Sequence, residues 1–128
     1  MKIYLPDFAK RGGYIPVIVQ DSETKENLML GYANEEAFLE TVKTRSVVLW
    51  STSRNELWRK GLTSGDTMEV VQMRIDCDGD ALIYLVRPKG PACHAGARTC
   101  FYRDIQVGVA ELDAPKAGSK EVLQITDI

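Results

Sequence analysis

The usual markers of export and of membrane insertion are missing from the 128 residues. The longest apolar runs, such as Ala81 to Val86, hold six residues, far short of the ~20 that a spanning helix needs. The opening MKIYLPDF has one Lys and then a Pro and an Asp, so no signal-peptide apolar region forms. Excess positive charge is absent too: Lys+Arg 16 against Asp+Glu 18 gives a net charge of −2. That balance argues against a dedicated DNA-binding domain, yet leaves room for a local phosphate pocket. Cysteine is scarce and odd in number, so Cys77, Cys93 and Cys100 cannot all pair within one chain. The expectation is a soluble, cytoplasmic protein whose thiols serve metal or catalysis more than a scaffold.

What is present is ordinary for a globular chain, with 45% hydrophobic and 27% charged residues. A single domain over 1–128 is expected, with about two-thirds of its surface removed from water on folding. Pro16 to Gln20 and Leu28 to Tyr32 are β-rich runs around the polar stretch Asp21 to Asn27, which predicts a hairpin. Asn34 caps a short helix with Glu35 and Glu36 in its first turn and Ala37, Phe38, Thr41 and Val42 near one stripe. Val47 to Trp50 reads as a buried strand. Ser53 and Glu56 stand at capping-box spacing and predict a second short helix through Trp58, ended by Gly61. Met68 to Asp76 and Ala81 to Arg87 are strands joined by the Asp78-Gly79 turn. A Gly- and Pro-rich loop follows from Pro88 to Gly96, then a strand-like piece at Cys100 to Tyr102. The segment 113–120 reads as a mobile surface loop. The fold class is α+β, mainly β: an antiparallel sheet with two short helices.

Three features carry chemistry. The first is the acidic turn, with Asp76, Asp78 and Asp80 at i, i+2 and i+4. Asp and Gly are favoured at any solvated hairpin tip. Three carboxylates this close also repel, and a hard divalent ion relieves the repulsion. An EF-hand is excluded, because Gly79 falls at loop position four and Arg87 at twelve. With carboxylates from one short turn alone, Mg²⁺ that keeps waters and binds substrate phosphates fits best.

The second feature is the spacing C-x15-C-x6-C with His94 directly after Cys93. No C-x-x-C knuckle supports a zinc ribbon. Free Cys is often simply buried, but Cys77 and Cys93 sit in polar or Gly/Pro-rich surroundings. Three thiolates and an open position make a sensible catalytic zinc site. Such a site carries net −1, so its water is acidified less and a general base helps. His94 is the available imidazole, as proton carrier or as ligand. If Cys77 continues its strand, its side chain points away from those of Asp76 and Asp78. One chain then struggles to bring Cys77 to Cys93 and Cys100, and a zinc site completed across a dimer would solve this.

The third feature is Trp50 to Gly65, where Ser53, Arg54, Lys60, Ser64 and Gly65 offer hydroxyls, cations and backbone N–H groups for a phosphate. A capped surface helix and a polar turn would account for the same residues. No Walker or dinucleotide fingerprint is present.

Three stretches, WSTSRNELWRKGLTSG (Trp50 to Gly65), DCDGD (Asp76 to Asp80) and GPACHAGARTCFY (Gly90 to Tyr102), resemble the phosphoribosyl-AMP cyclohydrolase family of histidine biosynthesis. The resemblance implies hydrolysis of the N1–C6 bond of the adenine ring in 1-(5-phosphoribosyl)-AMP. It implies an intertwined homodimer with one zinc and Mg²⁺ per active site. By position, Asp76, Asp78 and Asp80 would hold Mg²⁺, and Cys93 and Cys100 would hold zinc with the partner's Cys77. Thr52, Ala95 and Asp66 depart from the family's usual residues, and none of them is a metal ligand. Relatives often carry a fused pyrophosphohydrolase domain, and the expectation is that this activity resides in a separate protein. Two other classes stay open: a structural zinc module for interactions, with His94 as fourth ligand, and a nucleoside deaminase. The latter lacks its H-x-E and P-C-x-x-C signatures.

Overall fold

The computed structural model describes residues 4–62, 64–108 and 124–125. The expected loop at 113–120 lies outside them. In chain order the elements are a 3-10 turn (Ala9–Arg11), strands β1 (Ile15–Asp21) and β2 (Asn27–Ala33), helix α1 (Glu35–Thr44), strands β3 (Val48–Ser51), β4 (Glu56–Arg59), β5 (Met68–Ile75) and β6 (Leu82–Pro88), and the short pair β7 (Arg103–Asp104) and β8 (Gln124–Ile125).

Alternation along β1 sends Ile15, Val17 and Val19 into the core, each fully buried, and turns Pro16 and Ile18 outward. β2 returns antiparallel through the predicted hairpin. β6 is a nearly continuous apolar run, as befits a strand flanked on both sides. The sheet order is β2-β1-β6-β5. β6 pairs with β5 antiparallel but with β1 parallel, Val17 opposite Leu82. The sheet is therefore mixed, which corrects the antiparallel expectation. The cause is connectivity: the chain leaves β2 through α1 and β3–β4, and the β5–β6 hairpin docks its second strand on the free side of β1.

α1 and the β3–β4 hairpin cover the inner face of this sheet. Asn34 caps α1 by accepting the Ala37 N–H at 2.9 Å, and Ala37, Phe38 and Thr41 are its buried residues. Thr41 Oγ1 accepts the Val48 N–H at 3.0 Å, and its one proton has the Ala37 and Val48 carbonyls in reach at 2.9 and 3.1 Å, which pins the helix to β3. β3 lies close on β2, since a Cβ at Gly31 would stand 2.7 Å from Leu49 Cδ1.

The second predicted helix is not there. Thr52 to Asn55 form a turn, with Asn55 in the left-handed region at φ 53° and its N–H on the Ser51 carbonyl. Leu57 and Trp58 then pair with Trp50 and Leu49 in a hairpin. Capping-box spacing lost to the pairing of Glu56–Arg59 with Val48–Ser51, in which Leu57 packs against the core. Cys100 to Tyr102 are likewise not a strand, which begins only at Arg103. Among the described residues no helix is long and apolar enough to cross a membrane.

Candidate active site

The loop after β6 carries Cys93, His94 and Cys100, and its shape is held by the β1–β2 hairpin. Within the loop, the Ala92 and Cys93 N–H groups bond the Arg98 and Ala97 carbonyls, and Gly96 N–H closes back on Cys93. Arg98 then reaches across to Asp21 at 3.0 Å and Glu26 at 2.7 Å. Thr99, buried, donates to the Asn27 carbonyl at 2.7 Å, and the Cys100 N–H bonds the Leu28 carbonyl at 2.7 Å. Two cysteines with six residues between them are thereby folded back on each other. The Cys100 thiol is pushed up first by partial burial and then by the charge and hydrogen bond of neighbouring Cys93, while Lys60 pulls it down. Cys77 is elsewhere: it is exposed on the acidic turn. Among the described residues of one chain, the three thiols do not form a common ligand set.

Two cavities flank the cysteine loop. One of about 390 Å³ is lined by Ser53, Arg54, Trp58, Lys60, His94 and Cys100 among others. The second, about 300 Å³, takes in Lys60, Ser64, Cys93 and His94. His94 and Lys60 belong to both. Lys60 is only 9% exposed, its ammonium stands 6.0 Å from the Trp58 ring centroid, and it has no ion pair among the described residues. A buried ammonium without an anion is costly, and Lys60 lies on the wall of both cavities. Gly61 makes the sharp exit from Lys60, at φ +81° with Thr67 N 2.5 Å from where a Cβ would sit. Arg54 is exposed, with Glu56 at 3.9 Å. Gly65 lies in the adjoining turn, bonded to Gly61. The helix start once expected to offer N–H groups to a phosphate is replaced by the turn at Thr52 to Asn55.

The acidic turn forms a separate centre. Ligand oxygens of Asp76, Asp78 and Asp80 lie within 4.8 Å of one another, so one divalent ion can reach all three. Asp80 is almost fully buried, and Asp76 accepts the Asp80 and Ala81 N–H groups at 2.9 and 3.2 Å. Two cations that the sequence reading missed sit here. Lys10 Nζ is 2.8 Å from Asp78, and Arg11 Nε is 2.8 Å from Asp80. The Lys10 contact, with lesser help from Asp80 and Asp76, holds the Asp78 carboxyl down at about 2. Spacing gave no hint of these pairs, which join residues 68 and 69 positions apart.

A model of the family described as phosphoribosyl-AMP cyclohydrolase matches residues 29–102. The chain belongs to that family. It is 53% identical over 100 residues to the phosphoribosyl-AMP cyclohydrolase of Nitrosopumilus maritimus, covering 78% of this chain and 93% of that one. With the phosphoribosyl-AMP cyclohydrolase of Archaeoglobus fulgidus it shares 58% over 94 residues, 73% of this chain and 87% of the other. The histidine biosynthesis bifunctional protein HisIE of Thermus thermophilus is 56% identical over 100 residues, and there the match takes in 78% of this chain but 47% of the relative. The matched span contains the cyclohydrolase motifs, both cavities and the acidic turn.

Proposed function

We propose that this chain opens the adenine ring of 1-(5-phosphoribosyl)-AMP by hydrolysis of the N1–C6 bond, in histidine biosynthesis, as a zinc- and Mg²⁺-dependent homodimer. The observation that carries the reading, beside family membership, is the pair of cavities on which His94, Lys60 and the two neighbouring thiols converge.

Ribosylation at N1 makes the purine ring cationic and C6 electrophilic. Water adds its oxygen to C6, the C6–N1 bond breaks, and N1 gains a proton. His94, exposed on the loop and facing both cavities, is placed to take the water proton and deliver it to nitrogen. Lys60 holds an anionic group of the substrate from the wall, with Arg54, Ser53 and Ser64 lining the same cavities and Gly65 in the adjoining turn. Cys93 and Cys100 suit zinc, which when bound supplies the Lewis acidity that makes water reactive near neutral pH. The three converging carboxylates suit Mg²⁺ with retained waters and phosphate oxygens.

The third thiolate comes from the partner's Cys77. Each chain holds two thiols together and one apart, which favours this arrangement. The outer sheet face favours it as well. Leu30, Ile18 and Ile83 form a row across β2, β1 and β6, and with Pro16 and Ile75 they line an apolar groove of about 370 Å³. That groove runs up to Asp76, next to Cys77, so a second copy seated there meets the chain where the thiol is needed.

The test is a spectral assay of purine ring opening, with and without chelator and added Mg²⁺, combined with product mass. A product heavier by one water, formed only with both metals, is expected. Loss of ammonia would mean deamination, and no turnover by the metal-loaded dimer would defeat the proposal.

A further inference from the structure

The 3-10 turn Ala9–Arg11 is fastened over the acidic turn. Asp7 N–H donates to the Gly79 carbonyl at 2.8 Å, and the Asp7 carboxylate accepts the Lys10 N–H at 3.2 Å. From this platform the Lys10 ammonium bridges two carboxylates, 2.8 Å from Asp78 Oδ2 and 3.4 Å from Asp80 Oδ2. Arg11 Nε donates to the same Asp80 oxygen at 2.8 Å. The Asp80 side chain is only 2% exposed, so water compensates little of its charge and these two cations do.

Mg²⁺ binds carboxylate oxygens at about 2.0–2.1 Å. The ammonium lies against two of the three carboxylates that could hold such an ion, donating to Asp78 and pairing with Asp80. An ammonium nitrogen within hydrogen-bond distance of both and a divalent ion in the same carboxylate cluster would repel each other strongly. We infer that Lys10 is the chain's own occupant of the acidic centre, and that a divalent cation binds there by displacing its ammonium. The inference rests on the proposed reading of the acidic turn as a metal site.

The two basic residues part company on geometry. Lys10 spans two acids through one flexible, partly exposed stem and can swing out. Arg11 bonds Asp80 alone, and a carboxylate has about four lone-pair positions, so Arg11 can stay while the metal enters. Linkage makes the effect reciprocal: metal loosens the hold on the N-terminal turn, and the docked turn weakens metal binding by the same factor.

Mn²⁺, a spectroscopic stand-in for Mg²⁺, tests this on the full zinc-loaded chain by electron paramagnetic resonance titration. Lys10→Met keeps the stem and removes the charge, and should bind Mn²⁺ about fivefold more tightly, the scale expected for loss of one exposed ion pair. Independently of any variant, hydrogen exchange of residues 7–11 in the wild type should quicken on adding Mg²⁺. Equal or weaker Mn²⁺ binding by Lys10→Met, or exchange that slows or stays unchanged with Mg²⁺, would overturn the displacement. Asp78→Asn separates the two levels. If it binds Mn²⁺ like the wild type, the metal-site reading itself fails, and if it loses Mn²⁺ the failure belongs to Lys10 alone.

Discussion

A proton carrier and a metal ligand make different demands on an imidazole, and the proposed mechanism gives His94 the carrier's part. It is exposed, it lines two cavities, and it follows Cys93 directly in the chain. His94→Asn should therefore keep its zinc yet lose roughly 10²–10⁴-fold in rate, the usual contribution of general acid–base catalysis. Metal analysis beside kinetics decides the point, because zinc lost together with activity would make His94 the fourth ligand of a closed structural site. On the proposed reading, zinc goes to the thiolates and Mg²⁺ to the acids by chemical softness. Asp78→Asn should abolish Mg²⁺-dependent turnover and leave about one zinc per chain, since zinc prefers thiolates and Mg²⁺ carboxylates. Full activity in Asn variants of Asp76, Asp78 and Asp80 alike would reduce the turn to a solvated hairpin tip.

The cysteine loop has no regular structure of its own, so its geometry depends on the element it leans on. Arg98 joins it to β1 and to the turn after it, pairing with Asp21 and Glu26, and Asp21 is itself a buried carboxylate. Arg98→Met should cost about 1.5–3 kcal/mol, the scale of hydrogen bonds to charged groups, and should also hasten zinc loss to a chelator. A lower melting temperature with unchanged zinc release would show that the clamp serves stability alone. Such long-range clamps were not legible in the sequence, because Arg98 looks like any loop arginine until β1 is in place. Elements with a strong local signal were legible: the β1–β2 and β5–β6 hairpins through their turns, and α1 through Asn34 and its stripe. The stretch Ser53 to Trp58 was misread because capping-box spacing is a local signal, while pairing with Leu49 and Trp50 is a tertiary contact that no local spacing encodes. The parallel contact of β1 with β6 was hidden for the same reason, since no turn encodes it. The residues flanking the cavities were legible as types, and Lys60 gained its meaning only from its burial.

At the scale of the whole molecule, the odd cysteine count becomes an argument about assembly. One chain folds two thiols together on its cysteine loop and carries the third, exposed, directly after Asp76, which lines the apolar groove of the sheet. On the proposed reading a second copy completes a zinc site of three thiolates, and complementation tests that arrangement. Cys77→Ser and Cys100→Ser homodimers should each be inactive, because every site lacks one thiolate. In a mixed dimer one site carries both lesions. The other combines the intact Cys77 of one chain with the intact Cys93 and Cys100 of its partner. Co-refolding the two inactive variants should restore roughly a quarter of wild-type activity, because about half the dimers are mixed and each has one good site. Had all three thiolates come from one chain, every site in the mixture would be broken. An inactive mixture in which native mass spectrometry confirms the mixed dimers would therefore defeat the shared site.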